Sequence, residues 1–328
     1  RAVRLDRGSG RRRQPSASPP TPEQDNFFTK APALSLPKGG GAIRGMGGKF
    51  QVNPATGTGG FSIPLPLSPG RGGFGPQLGL SYDSGAGNGP FGFGWNVGLA
   101  NITRKTDKGL PRYLDADESD VYLLSGAEDL VPVLNADGTR FVDPNPGPGY
   151  TIHRYRPRIE GLFARIERWT RTLDGEIFWR SISRDNITTW YGKTPNSRIA
   201  DPADPTRRIF SWLICESHDD KGNVIRYEYA EENAANVDTS AASERNRTTS
   251  TRTSQRYLRR VLYGNRYSRL ATPAPADFAW MFELLFDYDE GRIAPHAVAG
   301  DAQGYAQVRL QGARPWPVRQ DPFSTYRA

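Results

Sequence analysis

Residues 212–229 read WLICESHDDKGNVIRYEY, two runs of β-branched and aromatic side chains on either side of Asp219-Asp220-Lys221-Gly222-Asn223. Asp and Asn bond nearby backbone and glycine supplies a positive φ, so this junction predicts a tight chain reversal with Asp220, Gly222 and Asn223 as its turn residues. The stretch reads as a β-hairpin. RWTRTLDGEIFWRSI (168–182) repeats the plan around Asp174-Gly175, and FELLFDYDEGRI (282–293) places Tyr288-Asp289-Glu290-Gly291-Arg292 after its strand. An aromatic strand, an Asp-Gly turn and a second strand make a weak internal repeat. Set side by side, such hairpins form a curling sheet whose aromatics pair across strands.

The rest of the 328-residue chain supports an all-β fold of many short antiparallel hairpins. Short β-type runs such as KFQV (49–52), ITTWYG (187–192) and QRYLRRVLYG (255–264) recur near every ten residues, bounded by turn signals. With 15 Phe, 14 Tyr and 7 Trp the chain has large apolar surfaces suited to strands, while 36 Gly and 27 Pro punctuate helices and mark turns. No segment carries a sustained apolar run at helical spacing.

Composition divides the chain. Residues 1–32, Arg-, Pro- and Ser-rich with QPSASPPTPEQ at their centre, cannot bury enough apolar surface to offset chain entropy and read as a disordered tail. Residues 33–328 read as one β domain, with a glycine-rich part (38–98), a hairpin part (99–328) and a polar surface insertion (231–255).

Between Gly39 and Gly98 lie 20 of the glycines. Gly87-Asn88-Gly89-Pro90-Phe91-Gly92 matches the G-x-G-x-x-G dinucleotide pattern, but that motif must open a helix, and Pro90 followed by FGFGW offers none. No Gly-Lys-Ser/Thr follows, which removes a phosphate-cradling P-loop as well. The structural reading is a close-packed loop wedged against a sheet. Gly87, Gly89, Gly92 and Gly94 would let backbone pass near aromatics, and Phe91, Phe93 and Trp95 would alternate to one side as anchors.

Other candidates for chemistry are weak. His153, His218 and His296 lack a second ligand at metal spacing. Asp115, Asp117, Glu118 and Asp120 lack the glycine and terminal Glu of a calcium loop and read as a solvated turn. Cys215 sits on a strand with no adjacent cation to lower its pKa, and a lone cysteine cannot form an internal disulfide. No G-x-S-x-G elbow occurs. These residues point to no catalytic group, cofactor or metal.

The net charge of +8 is concentrated in the tail, where residues 1–13 hold six Arg against one Asp, so a nucleic-acid role is not expected. Interleaved Arg and acidic residues between Arg154 and Arg184 read as outward strand faces, a surface that an acidic partner could meet. No apolar run approaches the roughly 20 residues of a bilayer span, so no membrane contact is expected, and the start shows no secretory h-region.

Four longer strings carry a resemblance: LSLPKGGGAIRGMGGKF (34–50), SPGRGGFGPQLGLSYDSGAGNGPFGFGW (68–95), ITRKTDKGLPRYLDADESDVYLLSGAEDLVPV (102–133) and NSRIADPADPTRRIFSWLICESHDDKGNVIRYEY (196–229). From about Leu34 to Ala328 the chain resembles the SpvB-type N-terminal domain that begins the B component of insecticidal Tc toxin complexes and a Salmonella plasmid virulence protein. The resemblance implies a sheet of the Rhs/YD-shell type, a hollow container that B and C components build around the C component's toxic end. It also implies secretion, and docking to an A-component channel through a region downstream of this chain, which is expected to be a truncated piece. In the Salmonella protein the catalytic part is a C-terminal ADP-ribosyltransferase whose Glu-x-Glu signature is absent here. The leading expectation is a non-enzymatic shell segment. The alternative is the N-terminal delivery module of a single-chain transferase toxin.

Overall fold

The computed structural model describes residues 49–313 apart from 54–56, 126–127, 162, 233–237, 246, 274, 276, 287, 289–290 and 298–305. The tail expected over 1–32 lies outside these residues. So do the first glycines of the glycine-rich part, and Asp289 and Glu290 of the third expected turn.

The glycine-rich part builds its own small sheet. Strands β1 (Lys49–Asn53), β2 (Thr58–Pro64) and β3 (Gly79–Asp83) pair in order, and two short strands, β4 (Asn88–Gly89) and β5 (Gly92–Phe93), form a separate ladder. The fourth member of the small sheet is β6 (Trp95–Val97), which runs antiparallel to β3.

The hairpin part is a twelve-stranded antiparallel sheet. Its first members are β7 (Asn101–Arg104), β8 (Tyr122–Leu124), β9 (Glu128–Pro132), β10 (Tyr150–Pro157), β11 (Arg165–Arg171), β12 (Ile177–Ile182) and β13 (Thr188–Tyr191), each paired with the next. After β14 (Arg198–Ala200) comes β15 (Ile209–His218), which closes the sheet on itself. One edge of β15 pairs with β7, placing Trp212 opposite Ile102, and the other pairs with β13, placing Glu216 opposite Trp190. The ring β7 to β13 plus β15 is therefore a closed barrel of eight strands. Beyond it β15 continues into β16 (Val224–Glu231), β17 (Arg256–Asn265) and β18 (Trp280–Leu285) as an open wing.

Closure at eight strands leaves an interior that side chains alone can fill. Trp179 and Trp212 are wholly buried there with ring centroids 6.0 Å apart, and Tyr122 packs edge-on against both, at 4.9 and 5.8 Å. Ile102, Ile166, Leu124 and Leu130 belong to the same cluster, which runs on into the wing through Tyr227, Tyr257 and Val261. On the outer face Trp169, Phe178 and Trp190 form a second cluster around Cys215.

Two of the three expected hairpins form. The stretch 212–229 gives β15 and β16, and 168–182 gives β11 and β12, with Gly175 at φ 77°. The third differs: β18 pairs with β17, while β19 (Gly291–Ala297) pairs with β20 (Ala306–Ala313) in a ladder of its own. The polar stretch 231–255 contains a one-turn helix, Thr249–Arg252, and an ion-pair frame. Buried Arg252 meets Glu244 at 2.9 Å and Arg247 meets buried Glu232 at 2.7 Å, so the described part of this stretch is tied down rather than only solvated.

Candidate functional site

The glycine-rich part lies as a cover on the large sheet. Leu65, Leu67, Phe74, Leu80 and Phe91 all pack against the main core cluster, and Leu78 and Val97 are buried within it. Phe91 carries the tip of the cover onto the wing, its ring 5.7 Å from Tyr288 and 6.0 Å from Phe286. Trp95 instead turns inward on the small sheet, 5.3 Å from Tyr82 and 6.4 Å from Phe61. Phe93 points out, 61% exposed. The expectation of three anchors on one side is therefore corrected. The β4–β5 ladder pairs Asn88 with Phe93 and Gly89 with Gly92, and the turn between them gives Phe91 and Phe93 different directions.

The glycines fall into different roles. Gly94 has φ 77°, and a Cβ there would meet the Tyr82 ring at 2.5 Å, so backbone passes over an aromatic where no side chain fits. At Gly89 a Cβ would lie 2.1 Å from the Trp95 carbonyl oxygen. Gly92 has a positive φ, and Gly87, with open space around it, accepts a hydrogen bond from the Gly94 N–H at 3.0 Å.

In the 219–223 turn the working carboxylate is Asp219. It accepts from the Lys221 and Asn223 N–H groups at 3.0 and 2.8 Å and from the Asn223 side-chain amide at 2.7 Å. Asp220 is exposed. Gly222 has φ 84° and Asn223 is buried against the turn.

The acidic turn expected to be solvated folds inward, because buried Arg104 needs partners. Its guanidinium donates to Asp115 at 2.7 and 2.8 Å, to Asp120 at 2.7 Å, and through Nε to the Ile209 carbonyl at 2.7 Å. Tyr113, Tyr122 and Trp212 stack around it at 4.8 to 5.4 Å. Burial alone would raise the Asp120 pKa, but the N–H groups of Arg112 and Tyr113 together with Arg104 bring it below the usual carboxylate range. Sequence reasoning missed this clamp; its one local signal is four acids following a lone strand Arg by about a dozen positions.

The reactive residue types are placed for structure. Cys215 is buried, donates through Sγ to the Trp190 carbonyl at 3.3 Å, and has its thiol pKa pushed up by burial. Desolvation lowers the His153 pKa, with Arg168 adding to the effect. Among the described residues no three or more His, Cys, Asp or Glu side chains are grouped to hold a metal ion, and no helix is long and apolar enough to cross a membrane.

An aromatic-filled barrel with a glycine-rich cover makes the described residues a β-rich structural domain. A family model described as Salmonella virulence plasmid 65kDa B protein matches residues 53–328, and the chain belongs to that family. It is 36% identical over 307 residues to the mono(ADP-ribosyl)transferase SpvB of Salmonella choleraesuis, covering 89% of this chain and 47% of that protein. The chain thus spans about half the length of the curated relatives it matches. The solved N-terminal domain of the effector protein SpvB from Salmonella typhimurium superposes with a TM-score of 0.65 at 36% identity, covering 79% of each chain. The Photorhabdus luminescens Tc holotoxin pore gives 0.68 at 34% identity, over 90% of this chain and 13% of that one. The TcdB2–TccC3 crystal structure gives 0.64 at 32% identity, over 87% and 14%.

Proposed function

We propose that this chain is a non-enzymatic wall segment of a bacterial toxin, part of a hollow β-shell that encloses and delivers a cytotoxic partner. The observation that carries the reading is the closed, side-chain-filled barrel whose sheet runs on into an open wing. Closure removes edges and excludes water, while among the described residues no strand pairs with the outer edge of β18, which can therefore continue a larger sheet. The likeness to both the SpvB N-terminal domain and TcdB2–TccC3 supports it.

In this reading the enclosed partner is the toxic end of a Tc-type C component, and the A-component channel is reached through a region beyond this chain. The segment itself touches neither nucleic acid nor membrane, holds no cofactor, and acts after export from the bacterium. Protease treatment of a co-expressed C component tests it: the toxic end is spared with the intact shell, and equal digestion with and without the shell contradicts the reading.

A second reading is favoured by the relatives' name. The chain would be the N-terminal delivery module of a single-chain ADP-ribosyltransferase, since it matches 47% of such proteins. The coding sequence after Ala328 separates the two. YD repeats followed by a neighbouring C-component gene support the shell, and a short linker into a Glu-x-Glu domain supports the module.

A further inference from the structure

The barrel buries two arginines of opposite circumstance. Arg104 has two carboxylates on its fork, Asp115 on both terminal nitrogens and Asp120 on Nη1. Arg168, on β11, is 4% exposed and has no such pair. Its Nε has no hydrogen-bond partner, its Nη1 is 3.4 Å from the Tyr122 hydroxyl, and its Nη2 is 3.5 Å from His153 Nδ1 and 4.0 Å from Glu118. A buried guanidinium carries five donors and a full charge, and leaving them unserved is costly.

Arg168 does not stand alone. It lines a cavity of about 670 Å³ at one end of the barrel, where Thr151 and His153 of β10, Thr170 of β11 and Ile177 of β12 all face inward. Other donors at this cavity are also idle: the Thr170 hydroxyl, and Nε and Nη1 of Arg140. Arg140 spends its remaining nitrogen on Glu118 and the Tyr155 hydroxyl. The nearby acids are engaged or peripheral, since Asp115 serves Arg104, Glu118 serves Arg140, and Asp117 is exposed at the rim. The unpartnered groups among the lining residues are donors, beside a space large enough for a small molecule.

We propose that this barrel-end cavity binds a small organic oxyanion, the carboxylate or phosphate of a compact ligand, with Arg168 as the principal donor and Arg140 and Thr170 beside it. A planar fork suits both oxyanions, and a charge-assisted bond to a guanidinium that is itself buried is stronger than the same bond in water. The site is independent of any shell partner, because every residue in it belongs to one end of one barrel.

The test is calorimetric titration of the full chain with citrate, with glucose 6-phosphate and with neutral glucose at fixed ionic strength. Saturable binding of citrate identifies a carboxylate ligand, and binding of glucose 6-phosphate a phosphate ligand; either supports the site. Arg168→Met should weaken that binding by at least about tenfold and Thr170→Val by a few-fold, the size expected from losing a charged and a neutral hydrogen bond. Glu118→Gln should tighten it, by removing the nearest competing carboxylate, a gain that a purely structural role would not produce. Should Arg168→Met fail to fold, judged by near-ultraviolet circular dichroism, Thr170→Val and Glu118→Gln decide the matter. No binding of either anion, equal binding of glucose, or binding unchanged in all folded variants overturns the proposal.

Discussion

The barrel and its cover use aromatic residues in opposite ways. In the barrel Trp179 and Trp212 are fully enclosed by strands that pair on both sides, and the Trp212 indole N–H donates to the Ile177 carbonyl at 2.7 Å. In the cover Phe91 and Trp95 are only half-buried, and they lie beside short strands and backbone held in place by glycine. One region is stabilised by enclosure on all sides, the other by close approach and by the two residues it buries in the main core, Leu78 and Val97. The difference teaches that the cover is the part that can loosen while the wall stays whole, since elements with few ladder bonds and partial burial open first.

The comparison can be broken most severely from within the barrel. Trp212→Ala should cost about 4 kcal/mol, the range for removing a large aromatic from a packed core, and lower the midpoint of urea unfolding for the whole domain. An unchanged midpoint would mean the barrel interior is not the core. Arg104→Met should cost about 3 kcal/mol, because Asp115 and Asp120 keep their charges with no cation between them. Restoring stability by adding Asp115→Asn and Asp120→Asn would identify the stranded charge as the cause.

Acid should act through the same region. Burial alone would raise the Glu216 pKa, but His218 beside it and Arg269 bonded at 3.0 Å bring it down to about 2. Asp120 is also depressed. A carboxyl whose folded pKa lies below its unfolded value contributes stability above the unfolded value, about 4, and loses it as pH falls toward the folded one. Thermal melts should therefore begin to fall as pH drops through about 6.5, where unfolded His153 takes up a proton that the half-buried folded ring resists, and fall further between about pH 4 and pH 2; a midpoint that rises on acidification would reverse the assignment.

Smaller effects sharpen the contrast with the cover. Gly94→Ala forces a Cβ onto Tyr82 at a positive φ and should cost about 2 kcal/mol, seen as faster proteolysis within 79–97 while barrel peptides stay protected. Protection lost equally in both regions would show that they melt as one unit. Smallest is the 219–223 turn, where Asp219→Ala should cost about 1 kcal/mol and Asp220→Ala less than about 0.5 kcal/mol in urea unfolding. The reverse order would restore Asp220 as the turn residue.

What could be read from the sequence follows how local each feature is. The hairpins at 168–182 and 212–229 announce themselves because each turn and both its strands lie within 23 residues, from Arg165 to Ile182 and from Ile209 to Glu231. Closure of the barrel does not, since it joins Ile102 to Trp212 and Thr189 to Ser217 through registers that no short pattern encodes. The same holds for the Arg104 clamp. Four acids among the six residues 115–120 read as solvated until β15 brings Ile209 and Trp212 over the strand Arg and excludes water. Phe93 failed for a different reason: strict alternation assumes a continuous strand, and the tight reversal between Gly89 and Gly92 breaks it.

The most direct test is native-state hydrogen exchange of the full chain, read across the seam where β13 meets β15 and compared with the cover. With a closed barrel, amides of Thr188–Tyr191 and Ile214–His218 exchange only through global unfolding, and those of Gly79–Val97 exchange earlier. Seam amides that exchange as fast as the cover would mean that the sheet is an open curl and that the barrel, with the wall function built on it, is wrong.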